Sequence, residues 1–426
     1  MKRSYGIVAL IMLFWFVISF ITNIMGPLIP DIIANYKLSH IGQAAFIPTS
    51  FFLAYAVMSI PAGILTEKLS QKTVLIIGFS LPFAGSLLFA LHPTFNALMI
   101  SSFIIGLGMA MLQTVINPLT RIAGGEDNFA FFSVMGQLFF GAASFVSPLL
   151  YTYLVRSLSL PGKPDNWFVR QLAQITPSGL PWVSLYWVFF VCLLFIIVLV
   201  MAVRFPAIEL LDDEKSGSVD SYKTLLKNKY VYLFFLAILS YVAIEQGIAN
   251  WVSQFLKDYH GLNPHVQGAE IVGLFWGLMS VGCLIGLIAL RLFDSQRVLR
   301  VSAVLSMLLL LISLTSPTVI ATISFPALGF TISIMFSIIM SLGLNSVSMH
   351  HGSFAGILCT GIVGGAIGPL IIGSLADIIG LKPALFTLLI PLSYILSLSF
   401  WAKPLIRNKT VKLWKRKSNP VFNSKK

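Results

Sequence analysis

The segment LQTVINPL, residues 112–119, puts two carboxamides, Gln113 and Asn117, four residues apart in an otherwise apolar run. On a helix that spacing places both on one face. Each amide offers N–H donors and a carbonyl acceptor, the two functions that a ligand hydroxyl needs. The same spacing would also glue one membrane helix to another, and the residues alone leave both readings open. Pro118 follows at once, removing a backbone donor where the helix can bend. A second polar group stands in YVAIEQGIANWVSQFL, residues 241–256. There Glu245 reads as the one carboxylate placed well inside an apolar run. At 100° per residue Tyr241, Gln246, Ala249, Asn250 and Ser253 share a half-cylinder with it, which predicts a cavity wall. At ~1.5 Å per residue Glu245 is expected about 24 Å from Lys229, past the midplane. An acid at that depth exchanges a proton or meets a ligand, or is held structurally by its neighbours.

The elements that carry these groups follow from composition. The chain of 426 residues is 57% hydrophobic and 10% charged, with a mean hydropathy of +0.90, against roughly 25% charged residues in soluble domains. Twelve apolar runs are long enough to cross a ~30 Å hydrocarbon layer as helices, near 5–29, 41–65, 73–91, 97–120, 129–155, 182–203, 229–256, 267–292, 296–315, 318–345, 353–379 and 383–402. They lack the period-two alternation of barrel strands. The fold class is therefore an all-α membrane protein of twelve transmembrane helices. The acidic stretch between the sixth and seventh runs divides the chain into a bundle at 1–205, a linker at 206–228, a second bundle at 229–403 and a basic tail at 404–426.

The formal charge of +13 does not signal nucleic acid, because the basic residues are sorted by side. Placing the N-terminus inside leaves only Lys37, Arg156, Lys163, Arg170, Lys257 and Lys382 outside, with the other 22 of 28 within. That asymmetry puts both termini in the cytoplasm of a multi-pass protein of the inner or plasma membrane. The basic start resembles a signal peptide, but it lacks a small-residue cleavage site and reads as a retained first helix. Cys192, Cys283 and Cys359 all fall within runs, so no disulfide framework is expected. No zinc spacing, phosphate-cradling loop or hydrolase set occurs in the runs, so neither an enzyme nor an ATP-driven pump is expected.

Two glycine-rich runs, GAASFVSPLL from Gly141 and GGAIGPLIIG from Gly364, fall at corresponding places in the two halves, as internal repeats would. GILTEKLSQK, residues 63–72, resembles the loop after the second helix in the major facilitator superfamily, where an acid and basic groups latch the inner gate. Gly63, Glu67 and Lys72 stand at its pattern positions. GSLADIIGLK, residues 373–382, looks similar but falls on the outer side and receives no gate role. Together with LQTVINPL and YVAIEQGIANWVSQFL, the segments PAGILTEKLSQK, IMFSIIMSLGL and GGAIGPLIIGSLADIIGLKPA resemble, in order, the fucose-galactose-glucose:proton symporter family of that superfamily. The resemblance implies two pseudosymmetric six-helix bundles, alternating access around a central cavity, and a hexose or deoxyhexose as substrate.

The departures from the family all run one way. Gln113 stands where the family has a protonatable Glu, and Asn23, in TNIMGP, where it has an Asp. Phe140, Cys283 and Ile332 replace polar cavity groups. Glu245 keeps the family's acid, and Asn117 and Gln137 keep its amides. The resemblance thus implies a substrate site of Asn23, Gln113, Asn117, Gln137 and Asn250, with Trp251 and Trp276 available to stack on a pyranose, and coupling at Glu245. No cofactor is expected; the coupling ion would be H+ or Na+. The expected partners are a small sugar and the lipid bilayer, and a monomer is expected. The greasier cavity also admits an exporter of amphipathic molecules on the same fold, and a non-transporting receptor is a third reading. The loop at 157–181 would cap the entrance or serve as a plain connector. His350 and His351 read as an exposed loop pair.

Overall fold

The computed structural model describes residues 5–124, 129–159, 166–205, 219–347 and 351–403. Every described element is helical. In chain order they are α1 (Tyr5–Thr22), α2 (Met25–Asn35), α3 (Phe46–Lys68), α4 (Gln71–Leu91), α5 (Phe95–Gly124), α6 (Phe129–Ser159), α7 (Trp167–Ile175) and α8 (Ser184–Ala202) in the first half. After α9 (Val219–Leu225) come α10 (Lys229–His260), α11 (Ala269–Leu292), α12 (Ser295–Thr315), α13 (Thr318–Ile332), α14 (Met335–Leu344), α15 (His351–Thr360), α16 (Gly364–Ile379), α17 (Leu381–Phe386) and α18 (Leu389–Trp401). Among the described residues twelve segments are long and apolar enough to span a membrane. The face beside the N-terminus is called proximal below, and the opposite face distal. Residues 206–218 of the expected linker lie outside the described residues, as do the tail from 404 and His350; α9 makes seven further residues of that linker helical.

Local chemistry sets the boundaries. Ser70, Asn228 and Asp294 accept from backbone N–H groups at the starts of α4, α10 and α12, satisfying donors that a helix N-terminus leaves free. Gly261 ends α10 in the left-handed conformation, at φ 65°. The first span is broken at Asn23 and Ile24. Pro27 has no N–H to offer the Asn23 carbonyl four residues back, and it is tolerated in the first turn of the new helix α2. The tenth span breaks at Ser333 and Ile334, where the Ser333 hydroxyl donates to the Phe330 carbonyl at 2.8 Å and competes with the helix ladder.

Two expectations change. The first span runs Tyr5–Asn35, not to 29, because α2 resumes beyond the prolines. Asp31 therefore lies inside a span, 8% exposed, and Glu245 is not the only carboxylate there. Helix α10 continues to His260, beyond the expected end at 256, and Glu245, sixteen residues after Lys229 and fifteen before His260, sits at the helix midpoint. In the loop after the fifth span, Asn166 caps amphipathic α7, which buries Val169 and Leu172 and leaves Trp167 exposed.

The halves meet toward the distal face along α2 on α10, α6 on α11, and α3 with its leading turn on α16, and the α3 seam continues onto α15 on the proximal side. Small residues allow the approach, as membrane packing requires. A Cβ on Gly26 would lie 2.0 Å from the Ala249 carbonyl oxygen, and one on Gly141 would overlap the Ser280 hydroxyl.

Candidate substrate and coupling site

Those contacts fix the relative depth of the polar side chains. Helices α2 and α10 run in the same direction, so Gly26 against Ala249 sets Asn23 level with Gln246. Helices α10 and α11 run oppositely, and Gly268 packs on Ser253, which sets Trp276 level with Glu245. Asn23, Glu245 and Trp276 thus form a central tier contributed by three helices.

Within it, Asn23 is buried and donates to the Ser144 hydroxyl at 2.9 Å and to Ser19 at 3.3 Å. Ser19 in turn meets the Phe140 carbonyl and Ser144, each at 2.5 Å. This closed network ties the broken first span to α6. Glu245 is partly exposed and accepts from the Tyr241 hydroxyl at 3.1 Å, one turn back on α10. Tyr241 is buried, its ring 5.7 Å from that of Phe336 on α14. Among the described residues no basic side chain comes within ion-pair distance of Glu245. Trp276 is 3% exposed, and its indole N–H has no partner among the described residues.

A second tier lies nearer the proximal face. Thr49 on α3 donates to the Ala366 carbonyl of α16 at 3.0 Å, and α16 packs on α10 beside Ala243. Tyr55, six residues beyond Thr49, is therefore roughly two turns from Glu245 along the membrane normal. Gln113 donates to the Tyr55 hydroxyl at 3.2 Å and is partly exposed. Gln137 is exposed, four residues before Gly141 and half a helical turn from the outward stripe of Val146 and Leu149. It faces the space between the halves, not lipid. Asn117 lies on α5, its side chain outside the described residues.

The remaining expected contacts are packed away in this conformation. Asn250 is 1% exposed at the α2–α10 seam and donates back to Gln246, while its carbonyl oxygen is without a partner among the described residues. Trp251 is fully buried and donates to the Pro369 carbonyl at 3.0 Å. Phe140 and Cys283 are half-buried and Ile332 is buried; Cys283 donates to the Ser333 carbonyl at 3.4 Å. At the expected gate, Lys72 donates to the Met201 and Val203 carbonyls, capping α8 within its own half. Gly63 lies half-buried in α3, and the Glu67 side chain is outside the described residues, as is that of His351.

Several groups had no prior signal. Tyr55 is one of twelve tyrosines, and nothing in its spacing marks it as the partner of Gln113. Asp31 joins Tyr151 and His265 at the distal seam. It falls two residues beyond 29, the expected end of the first span. Asp377, in the segment expected to have no gate role, accepts from the Gly42 backbone N–H at 3.2 Å across the two halves.

The all-helical fold with twelve membrane-length segments agrees with comparisons to known proteins. A glucose/galactose transporter of Brucella abortus is 31% identical over 405 residues, covering 92% of this chain and 93% of that one. The L-fucose-proton symporter of Escherichia coli is 25% identical over 395 residues, 90% of each chain. A crystal structure of the Escherichia coli fucose:proton symporter superposes with a TM-score of 0.68 at 24% identity, covering 94% of this chain and all of that one. Residues 11–361 match the model of the Major Facilitator Superfamily, and the chain belongs to that family.

Proposed function

We propose that the protein is a secondary sugar transporter that carries a hexose or deoxyhexose by alternating access, with Glu245 coupling the movement to a proton or sodium ion. The relatives and the fold are those of transporters, not enzymes. The observation that carries the coupling is the position of Glu245: mid-helix, partly exposed, held by Tyr241 and, among the described residues, without a basic side chain beside it. A lone charge is expensive at that depth, so neutralisation by a proton or a small cation is a natural step of the cycle. Asn23, Gln113, Asn117, Gln137 and Asn250 supply the amide donors and acceptors for sugar hydroxyls, and Trp251 and Trp276 the apolar faces. In the present conformation the distal seams are closed, and exposed Gln137 marks the proximal approach. Basic-residue sorting makes the proximal face cytoplasmic, in the inner or plasma membrane, and the chain acts as a monomer.

Counterflow of labelled hexoses in proteoliposomes, with and without imposed proton and sodium gradients, tests this reading. Saturable exchange of a hexose is expected, with uphill accumulation under one of the two gradients. Glu245→Gln should retain exchange and lose accumulation. Efflux of amphipathic compounds without sugar exchange would overturn the sugar assignment, and intact accumulation in Glu245→Gln would overturn the coupling.

A further inference from the structure

Three elements from the two halves converge on Asp31 at the distal face. Asp31 of α2 is buried. Tyr151 of α6, with no exposed surface, donates its hydroxyl proton to Asp31 Oδ2 at 2.7 Å. His265 lies in the turn that leads into α11, its Nδ1 2.8 Å from the same tyrosine oxygen and its Nε2 3.5 Å from Asp31 Oδ1. Thr152 donates to the His265 carbonyl at 2.6 Å, and Asn263 accepts from the His265 backbone N–H at 2.9 Å. The imidazole is thus anchored on both sides by its own backbone. Lys257 of α10 adds a positive charge to the surroundings of Asp31.

Counting protons shows what a charged ring adds. Tyr151 has one hydroxyl proton, and Asp31 as a carboxylate can only accept it. The Nδ1 at 2.8 Å must then donate to the tyrosine oxygen. Nε2 faces the other carboxylate oxygen, and an ion pair there requires a proton on that nitrogen as well. A neutral ring with its proton on Nδ1 makes the tyrosine bond alone; a second proton on Nε2 adds an ion pair with Asp31, and the side chain, 33% exposed, is within reach of the distal solution.

We infer that Asp31, Tyr151 and His265 form a proton-operated clasp on the distal seam, so that acidity on that side favours the distal-closed conformation. The clasp rests on the alternating-access reading but not on the identity of the sugar. A proton on Nε2, taken from the distal solution, completes the pairing of Asp31. Without it a buried carboxylate faces a neutral ring, which favours opening. The second strap, Asp377 to the Gly42 N–H, contains no histidine and is not expected to follow this change.

Spin labels on Trp167→Cys and Val319→Cys, both exposed near the distal face on opposite halves, in a background lacking Cys192, Cys283 and Cys359, read the seam by double electron–electron resonance in lipid nanodiscs. Between pH 5 and pH 8 the closed-to-open ratio should fall by about fivefold or more, as expected for loss of a partly buried ion pair. His265→Gln and Asp31→Asn should flatten that dependence. Tyr151→Phe should lower the closed population while retaining a response to pH. An unchanged distance distribution across the pH range in the parent would overturn the clasp, as would a pH response in His265→Gln or Asp31→Asn as large as the parent's. Because no sugar is present, absence of hexose counterflow beside an intact pH response would reject the substrate and keep the clasp.

Discussion

Substitution of Gly26 by alanine tests whether the α2–α10 seam controls access. A Cβ at that position would lie 2.0 Å from the Ala249 carbonyl oxygen, where ordinary contact begins at 3.4 Å. Relief therefore requires α2 to withdraw by about 1.4 Å or the seam to open. The obstacle is backbone, so no side-chain rotation relieves it. Overpacking of this kind costs roughly 1–3 kcal/mol, and here the cost falls on the distal-closed state alone. A penalty of that size corresponds to about a 5- to 150-fold shift of the equilibrium toward the open form. The distal spin-label pair measures the shift directly, as growth of a longer distance component. Gly179→Ala is the control, since a Cβ there meets nothing within 4 Å, and it should leave the distribution as it was. If Gly26→Ala folds with normal thermal stability and the distances do not lengthen, α2 is not the element that seals this side. The burial of Asn250 points the same way: its carbonyl oxygen is without a partner among the described residues in the closed seam, a cost of about 1–3 kcal/mol that opening would relieve.

Two further outcomes follow from the tiers. Tyr241→Phe removes the hydroxyl that Glu245 accepts at 3.1 Å; a hydrogen bond to a charged group contributes about 1.5–3 kcal/mol, so uphill accumulation in proteoliposomes should fall about tenfold or more while hexose exchange persists. Gln113→Ala should weaken hexose binding in counterflow about tenfold, and Tyr55→Phe should be less than additive with it because each loses the same 3.2 Å bond.

The sequence made the architecture legible because hydrophobic length is a strong constraint in lipid: a helix that must satisfy its own backbone announces itself as an apolar run. Glu245 was legible for the same reason, since a carboxylate stands out against such a run. Asp31 was not, because proline ends a helix in most settings, and only the restart of α2 beyond Asn23 carries the span past it. The depth of each group was also hidden. Gln113 and Glu245 both read as cavity groups, yet their separation into two tiers depends on which glycine faces which carbonyl across the bundle. No local pattern encodes that register. Lys72 shows the converse: its loop was recognisable, but a motif does not specify that its amine caps α8 in this conformation.

The break at Asn23 gives the first span an elbow. Below it, α1 is pinned to α6 through Ser19 and Ser144; above it, α2 is a rod of 11 residues, about 16 Å long. A swing of about 15° at the elbow would carry the far tip through roughly 4 Å, enough to separate hydrogen-bonded partners there while the serine network below stays intact. One face of the molecule could then yield by bending a single lever, before either bundle turns as a whole.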